Sequence, residues 1–158
     1  NGDYYTYDKR HTFTLADEHL TYTPGKELLT INFLGWKICP LICYDLRFPV
    51  WARNTCDYDL LIYTANWPQK RIHAWDTLLR ARAIENMAYC VGVNRTGKDD
   101  NLNQYNGHSV IYDVLGKQLT TTKNEGNFSE TTILEKAHIV KERAHFQFLS
   151  DRDHFTLN

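Results

Sequence analysis

Short apolar runs alternate along this chain with one long stretch of helical periodicity. Residues 28–33 are β-branched and aromatic and end at Leu34-Gly35, a turn pair. Residues 36–43 (WKICPLIC) read as a buried strand. Pro40 cannot donate to a ladder and so places that strand at an edge or bulge. Residues 58–64 (YDLLIYT) predict a further strand, followed by an Asn66-Trp67-Pro68 turn. From about residue 70 to 87 the period changes. Ile72, Trp75, Leu79 and Ala83 recur at three- and four-residue steps, with Leu78 and Ile84 widening the stripe, which predicts a helix. Residues 88–94 (AYCVGVN) predict a strand, 96–106 a polar loop, and 107–113, 117–122 and 130–134 further strands. A turn is expected at 114–116, and a last helix at 135–146 leads into a tail. Tyr4 to Tyr7 also has the look of a strand. Strands separated by helices indicate an α/β layered domain rather than stacked sheets alone.

Bulk properties narrow the function classes. At 158 residues the chain fits one domain with a real core, or part of one. The 18 basic and 19 acidic residues nearly cancel, which argues against nucleic acid or an anionic membrane surface held by charge alone. No apolar run approaches the roughly 18 residues of a membrane span, and no signal peptide is apparent. A cytoplasmic location is expected. Cys39, Cys43, Cys56 and Cys90 match neither a zinc-knuckle spacing nor a dense disulfide framework, which suits a reducing compartment. The seven His are scattered without metal-ligand spacing, so no metal and no cofactor is expected.

Cys43 is the sharpest chemical feature. It ends an apolar strand and is followed at once by Tyr44-Asp45-Leu46-Arg47-Phe48-Pro49. A side chain at a strand-to-helix corner is exposed at the sheet edge, with the N–H groups of the next turn pointing the same way. Taken alone, a cysteine in apolar surroundings reads as a small buried hydrophobe.

The surrounding strings reverse that reading. Residues 42–49 resemble the nucleophile elbow of the nitrilase superfamily of carbon–nitrogen hydrolases, and residues 7–13 (YDKRHTF) resemble its catalytic-lysine segment, with Thr12 where Leu is common. Glu18 stands six residues before Pro24-Gly25, as the auxiliary glutamate of that family does. Thr64-Ala65-Asn66-Trp67-Pro68, Arg82-Ala83-Ile84-Glu85-Asn86, Gly92-Val93-Asn94-Arg95 and Gly107-His108-Ser109 follow in family order.

The resemblance implies an α-β-β-α sandwich of two facing sheets, of which this chain would be the C-terminal part. It also implies a Glu–Lys–Cys set. Cys43 would attack an amide or nitrile carbon and form a thioester. Lys9 and the backbone N–H of Tyr44 would face the oxyanion, and Glu18 would orient Lys9 and the substrate. The family's general base is a glutamate upstream of the lysine, and none of the eight residues before Lys9 is Glu. The elbow and the tail at 151–155 (DRDHF) are most similar to the omega-amidase branch, which hydrolyses short α-keto acid monoamides such as 2-oxoglutaramate.

Several residues have a plainer reading beside the functional one. Trp67 lines the pocket or belongs to the core, while Arg71 and Arg95, beside strand-to-loop junctions, are candidates for binding a substrate carboxylate. Arg47, close after the nucleophile, is a candidate for a substrate carboxylate, with an ion pair to a buried acid such as Asp45 or Glu85 the favoured reading. His108 is expected to satisfy a backbone partner. His11, two residues from Lys9, would share its side of a strand and line the pocket. Trp75 and Leu79 are expected in the core or a dimer contact. A homodimer or higher assembly is expected, with residues 47–55 and the apolar segment 146–149 as its face. Two other classes remain: a silent scaffold that binds or regulates, and an acyltransferase that passes the thioester to an amine or alcohol.

Overall fold

The computed structural model describes residues 2–121 and 126–157. Its centre is a five-stranded sheet in the order β1-β2-β3-β4-β7. The strands are β1 (Ile31–Phe33), β2 (Trp36–Ile42), β3 (Leu60–Ala65), β4 (Tyr89–Asn94) and β7 (Val110–Tyr112). The pairs β2–β3 and β3–β4 are parallel, and β1 and β7 run antiparallel on the two edges.

The β1–β2 hairpin turns at Leu34-Gly35, both with positive φ (47° and 80°), the mirror-image turn that suits strand twist. Beyond the Ile31↔Ile38 pair, β2 is bonded by strand β3 alone. Pro40 lies in that locally open part, which is how a proline is accommodated in an otherwise inner strand.

Alternation sorts the side chains by face. Cys39 and Leu41 of β2, Leu61 and Tyr63 of β3, Cys90 of β4, and Val110 and Tyr112 of β7 are all buried on one face. Helix α3 (Ile72–Asn86) lies against them through Ile72, Trp75, Leu79 and Ala83. Gly92 makes this close approach possible: a Cβ there would stand 2.3 Å from Leu79 Cδ1 and 2.7 Å from Trp75 Cζ2. The stripe is narrower than the sequence implies, because Ile84 is exposed and Arg82 and Asn86 are buried instead. Arg82 is held by Glu85 at 2.8 Å and the Leu46 carbonyl at 2.6 Å.

The opposite face is half-buried along Ile38, Pro40, Leu60, Ile62 and Val91. Helix α4 (Lys136–Phe146) helps cover one end of it, where Ile139 meets Tyr89 and Val114. Arg143 ties this helix to the carbonyls of Met87 and Tyr58 at 2.8 and 2.6 Å. The architecture is thus mixed α/β, but among the described residues only one main sheet is formed, so the second sheet of the expected sandwich is not seen.

Other expectations are corrected. Tyr4 to Tyr7 is not a strand; the Tyr7 hydroxyl instead donates to the Asp45 carboxylate of the elbow. Residues 130–134 form no strand. Of residues 117–122, Gln118 makes a single bridge to Tyr112, and Thr122 lies outside the described residues. The polar loop at 96–106 is a hairpin of β5 (Thr96–Lys98) and β6 (Gln104–Asn106), with Asp99 capping its tip by accepting from Asn103 N–H at 2.9 Å. Among the described residues no helix is long and apolar enough to cross a membrane.

Candidate active site

The parallel strands bring three chain corners to one edge. Strand β2 delivers Cys43, β3 delivers Asn66-Trp67-Pro68, and β4 delivers Arg95. Cys43 opens a 3-10 turn (Cys43–Arg47) and has φ of 45°, a left-handed conformation that costs a non-glycine residue of order 1–3 kcal/mol. By its place in the turn, the Tyr44 N–H has no partner within it.

Asp45 holds the corner. Its carboxylate is fully buried and accepts from Ile42 N–H at 3.1 Å, Tyr7 hydroxyl at 2.9 Å and His11 N–H at 3.0 Å, with His11 Nδ1 at 2.8 Å. Residues more than thirty positions upstream are thereby bound to the elbow.

That upstream segment carries Lys9. Its ammonium is 2.5 Å from Glu18 Oε2, which also accepts from Phe13 N–H at 2.9 Å. The Lys9 carbonyl accepts from Gly25 N–H at 2.9 Å. A Cβ on Gly25 would stand 2.1 Å from the Asp8 carbonyl oxygen, so the Pro24-Gly25 corner lies directly on the lysine segment. Glu18 begins the short helix α1 (Glu18–Thr21).

A cleft of about 860 Å³ opens over this edge. The seven residues given a catalytic or substrate-binding part from the sequence line it: Lys9, Glu18, Cys43, Tyr44, Trp67, Arg71 and Arg95. Burial pushes the Cys43 thiol up, opposed by the Asn66 backbone N–H and by the positive charges of Lys9 and Arg71. The cations are Lys9, Arg47, Arg71 and Arg95, and the carboxylates are Glu18 and Asp99. Both carboxylates are engaged, Glu18 by Lys9 and Asp99 by Asn103 and Tyr105, which hold its carboxyl down at about 2. Each arginine lies over an aromatic ring: Arg47 over Trp67 at 5.0 Å, Arg71 over Phe13 at 5.2 Å and Arg95 over Tyr105 at 4.7 Å. None of the three has a carboxylate partner among the described residues.

Trp67 is nearly fully buried and still contributes to the cleft lining. Its loop is clamped by Asn94, whose Oδ1 accepts from Trp67 N–H at 2.7 Å while Nδ2 donates to the carbonyls of Trp67 (2.9 Å) and Gly107 (2.7 Å). Asn94 and Asp45 stand out only in the structure; the one available signal was their place inside the family-like strings. Arg47 is corrected: Arg82 takes Glu85 and the upstream segment takes Asp45, so Arg47 turns into the cleft. His11 is also corrected, since its segment is not a strand and its ring stacks on Phe48 at 3.6 Å, away from the cleft lining. His108 meets a side chain instead: its Nδ1 is 3.0 Å from Asp76, and its carbonyl accepts from Trp75 Nε1 at 2.8 Å. Among the described residues no cluster of three or more potential ligands is placed to hold a metal ion.

The sequence profile of carbon-nitrogen hydrolases matches residues 4–138. The chain belongs to the carbon–nitrogen hydrolase family. Among curated members it is 48% identical to the omega-amidase YafV of Yersinia enterocolitica, over 99% of this chain and 61% of that protein. To the 2-oxoglutaramate amidase of Bacillus subtilis it is 39% identical, over 86% of this chain and 53% of that one. The fold aligns with a CN-hydrolase superfamily protein of Xanthomonas campestris, solved with an arsenic adduct in its active site, at a TM-score of 0.87 and 42% identity, covering 96% of this chain and 60% of that chain. The chain therefore spans between 53% and 61% of the length of these longer family members.

Proposed function

We propose that this chain carries the nucleophile and the oxyanion-binding lysine of a thiol-dependent amidase acting on the terminal amide of a short α-keto acid monoamide such as 2-oxoglutaramate. The observation that carries the reading is Cys43, held in a left-handed corner in a cleft shared with the Lys9–Glu18 pair.

The sulfur attacks the amide carbon, and the carbonyl oxygen becomes an anion facing the Lys9 ammonium and the Tyr44 N–H. Collapse expels ammonia and leaves an acyl thioester on Cys43. Water attacks that carbonyl, releases the acid and returns the thiol. The thiol proton needs a base that also delivers a proton to the leaving amine. Glu18 is already bound by Lys9 and Phe13 N–H, which suits an orienting role. The base is assigned to the glutamate that precedes the lysine in this family.

Substrate class follows from charge. A chain of net charge −1 concentrates Arg47, Arg71 and Arg95 on one cleft, with no carboxylate partner for any of them among the described residues. That supports a substrate bearing its own carboxylate. A guanidinium–carboxylate match contributes roughly 1.5–3 kcal/mol, and the names of the similar curated proteins point the same way.

The free thiols support a reducing, cytoplasmic setting. The exposed Val50 of helix α2 (Pro49–Ala52), with Phe146 and Phe148, supports a homodimer face, which light scattering of the full-length protein at micromolar concentration checks. The deciding assay is ammonia release by the full-length protein from 2-oxoglutaramate against butyramide. The expected result is a preference for the former of about one to two decades in kcat/KM, lost in Cys43→Ala. Equal values would overturn anion recognition, and retained turnover in Cys43→Ala would overturn the nucleophile.

A further inference from the structure

Asp45 takes part in four hydrogen bonds beside the cleft, yet it has no part in the chemistry just described. It stands two residues after Cys43. Its two upstream partners, Tyr7 and His11, stand two residues before and two residues after Lys9. One carboxylate thus joins the two segments symmetrically about the two reactive side chains.

The joint is stiff. The His11 ring lies parallel to Phe48 at 3.6 Å and 3°, and meets Trp51 edge-on at 6.2 Å. The Tyr7 hydroxyl donates to Asp45 and accepts from Trp51 Nε1 at 2.9 Å. Burial and the neighbouring Asp45 push the Tyr7 phenol up, so it remains an O–H donor through the neutral range. Among the described residues the Lys9 side chain is otherwise fixed only by Glu18, and Glu18 belongs to the same upstream segment. Among the described residues no other side-chain hydrogen bond of that segment reaches the Cys43–Arg47 turn; Phe13 also packs on Tyr44 at 4.7 Å, but that contact is non-directional, so the register of ammonium to sulfur is set by the Asp45 joint.

We propose that Asp45, acting through Tyr7 and His11, is a positioning residue that sets the Lys9 ammonium against the Cys43 sulfur. This rests on the roles given to Cys43 and Lys9 above. A small misplacement of a catalytic group costs up to about a hundredfold in rate, while the substrate's carboxylate contacts are made elsewhere in the cleft. Loosening the joint therefore lowers kcat and leaves KM nearly unchanged.

The test uses the full-length protein and two readouts: kcat and KM for 2-oxoglutaramate, and the rate of Cys43 alkylation by iodoacetamide, which needs no turnover. Tyr7→Phe removes one donor and keeps the ring. The expected result is a fall of about tenfold in kcat, KM within about twofold, and slower alkylation. His11→Asn, whose amide nitrogen can stand in for Nδ1, should retain most of the rate, whereas His11→Leu should not. In a Lys9→Met background, Tyr7→Phe should slow alkylation no further, because the two act in series. The proposal is overturned if Tyr7→Phe and His11→Leu leave kcat and alkylation unchanged, or if Tyr7→Phe slows alkylation equally with and without Lys9. Should the wild type hydrolyse no amide, the amidase reading fails by itself, and the alkylation series still decides this one.

Discussion

Asn94→Asp is nearly isosteric and strikes the clamp under the cleft. The wild-type amide donates twice, to the carbonyls of Trp67 and Gly107, and accepts once, from Trp67 N–H. The substitution keeps the acceptor and turns the donor into an oxygen facing two carbonyl oxygens at 2.9 and 2.7 Å. Two lost hydrogen bonds cost about 1 kcal/mol each, and the poorly solvated carboxylate adds about 1–3 kcal/mol. A total of about 3–5 kcal/mol is large against the usual 5–15 kcal/mol of a folded domain. With a urea slope of about 2 kcal/mol/M, the midpoint at pH 7 should fall by roughly 1.5–2.5 M. The sign with pH follows from the same geometry. Burial and the facing carbonyls raise the pKa of the introduced carboxyl above its unfolded value of about 3.9. The charge part of the penalty is therefore absent below that value and is complete once pH has risen through the folded one, while the loss of donors persists. The gap to wild type should narrow at pH 5. A midpoint within about 0.3 M of wild type at pH 7, or a gap that widens on acidification, would refute the clamp.

Three further outcomes are expected. Gly92→Ala should destabilise by about 1–3 kcal/mol in urea unfolding, because Trp75 is pinned to the His108 carbonyl and cannot withdraw from the new methyl group; an unchanged midpoint would show that α3 shifts freely. Arg47→Met should raise KM for 2-oxoglutaramate by about tenfold and leave butyramide unaffected, whereas an equal change in both would assign Arg47 to packing on Trp67. Burial pushes the thiols of Cys39 and Cys90 up, so their share of stability is intact below the unfolded thiol value of about 8.5 and is lost progressively above it; thermal unfolding between pH 8 and 10 should show a falling midpoint that is reduced in Cys39→Ala.

The parts of the fold legible in sequence are those whose pattern is set locally. The runs around Cys39, Leu61 and Cys90 are apolar on successive positions because the inner strands are covered on one face and partly on the other. The α3 stripe follows the helical period for the same reason. The misreadings share a cause, which is that a hydrogen-bonding partner far along the chain leaves no local mark. Tyr4 to Tyr7 alternates like a strand, yet Tyr7 spends its hydroxyl on Asp45, thirty-eight residues away. Arg47 looked paired because Asp45 and Glu85 looked available, and both were taken by others. The hairpin at 96–106 was hidden by polarity, since its strands face solvent and its tip is closed by Asp99 rather than by apolar contacts. The seven cleft residues lie in six separate stretches of the chain; family-like strings tied all but Arg71 together beforehand, and Arg71 stood out only by its place after a strand.

The common direction of β2, β3 and β4 has a consequence for how such a protein can be altered. Apart from the upstream segment and the β5–β6 hairpin, the cleft-lining side chains sit at or just past the carboxyl ends of these strands, while the side chains that hold the sheet to α3 sit inside the strands. Two nearly separate sets of positions result. A library randomised at Arg47, Arg71, Val93, Arg95 and the hairpin tip would sample new ligands with little loss of folded protein. One randomised at Cys39, Leu61 and Tyr63 would mostly lose the fold. Selection can therefore redirect this cleft one rim residue at a time, from a background that stays stable.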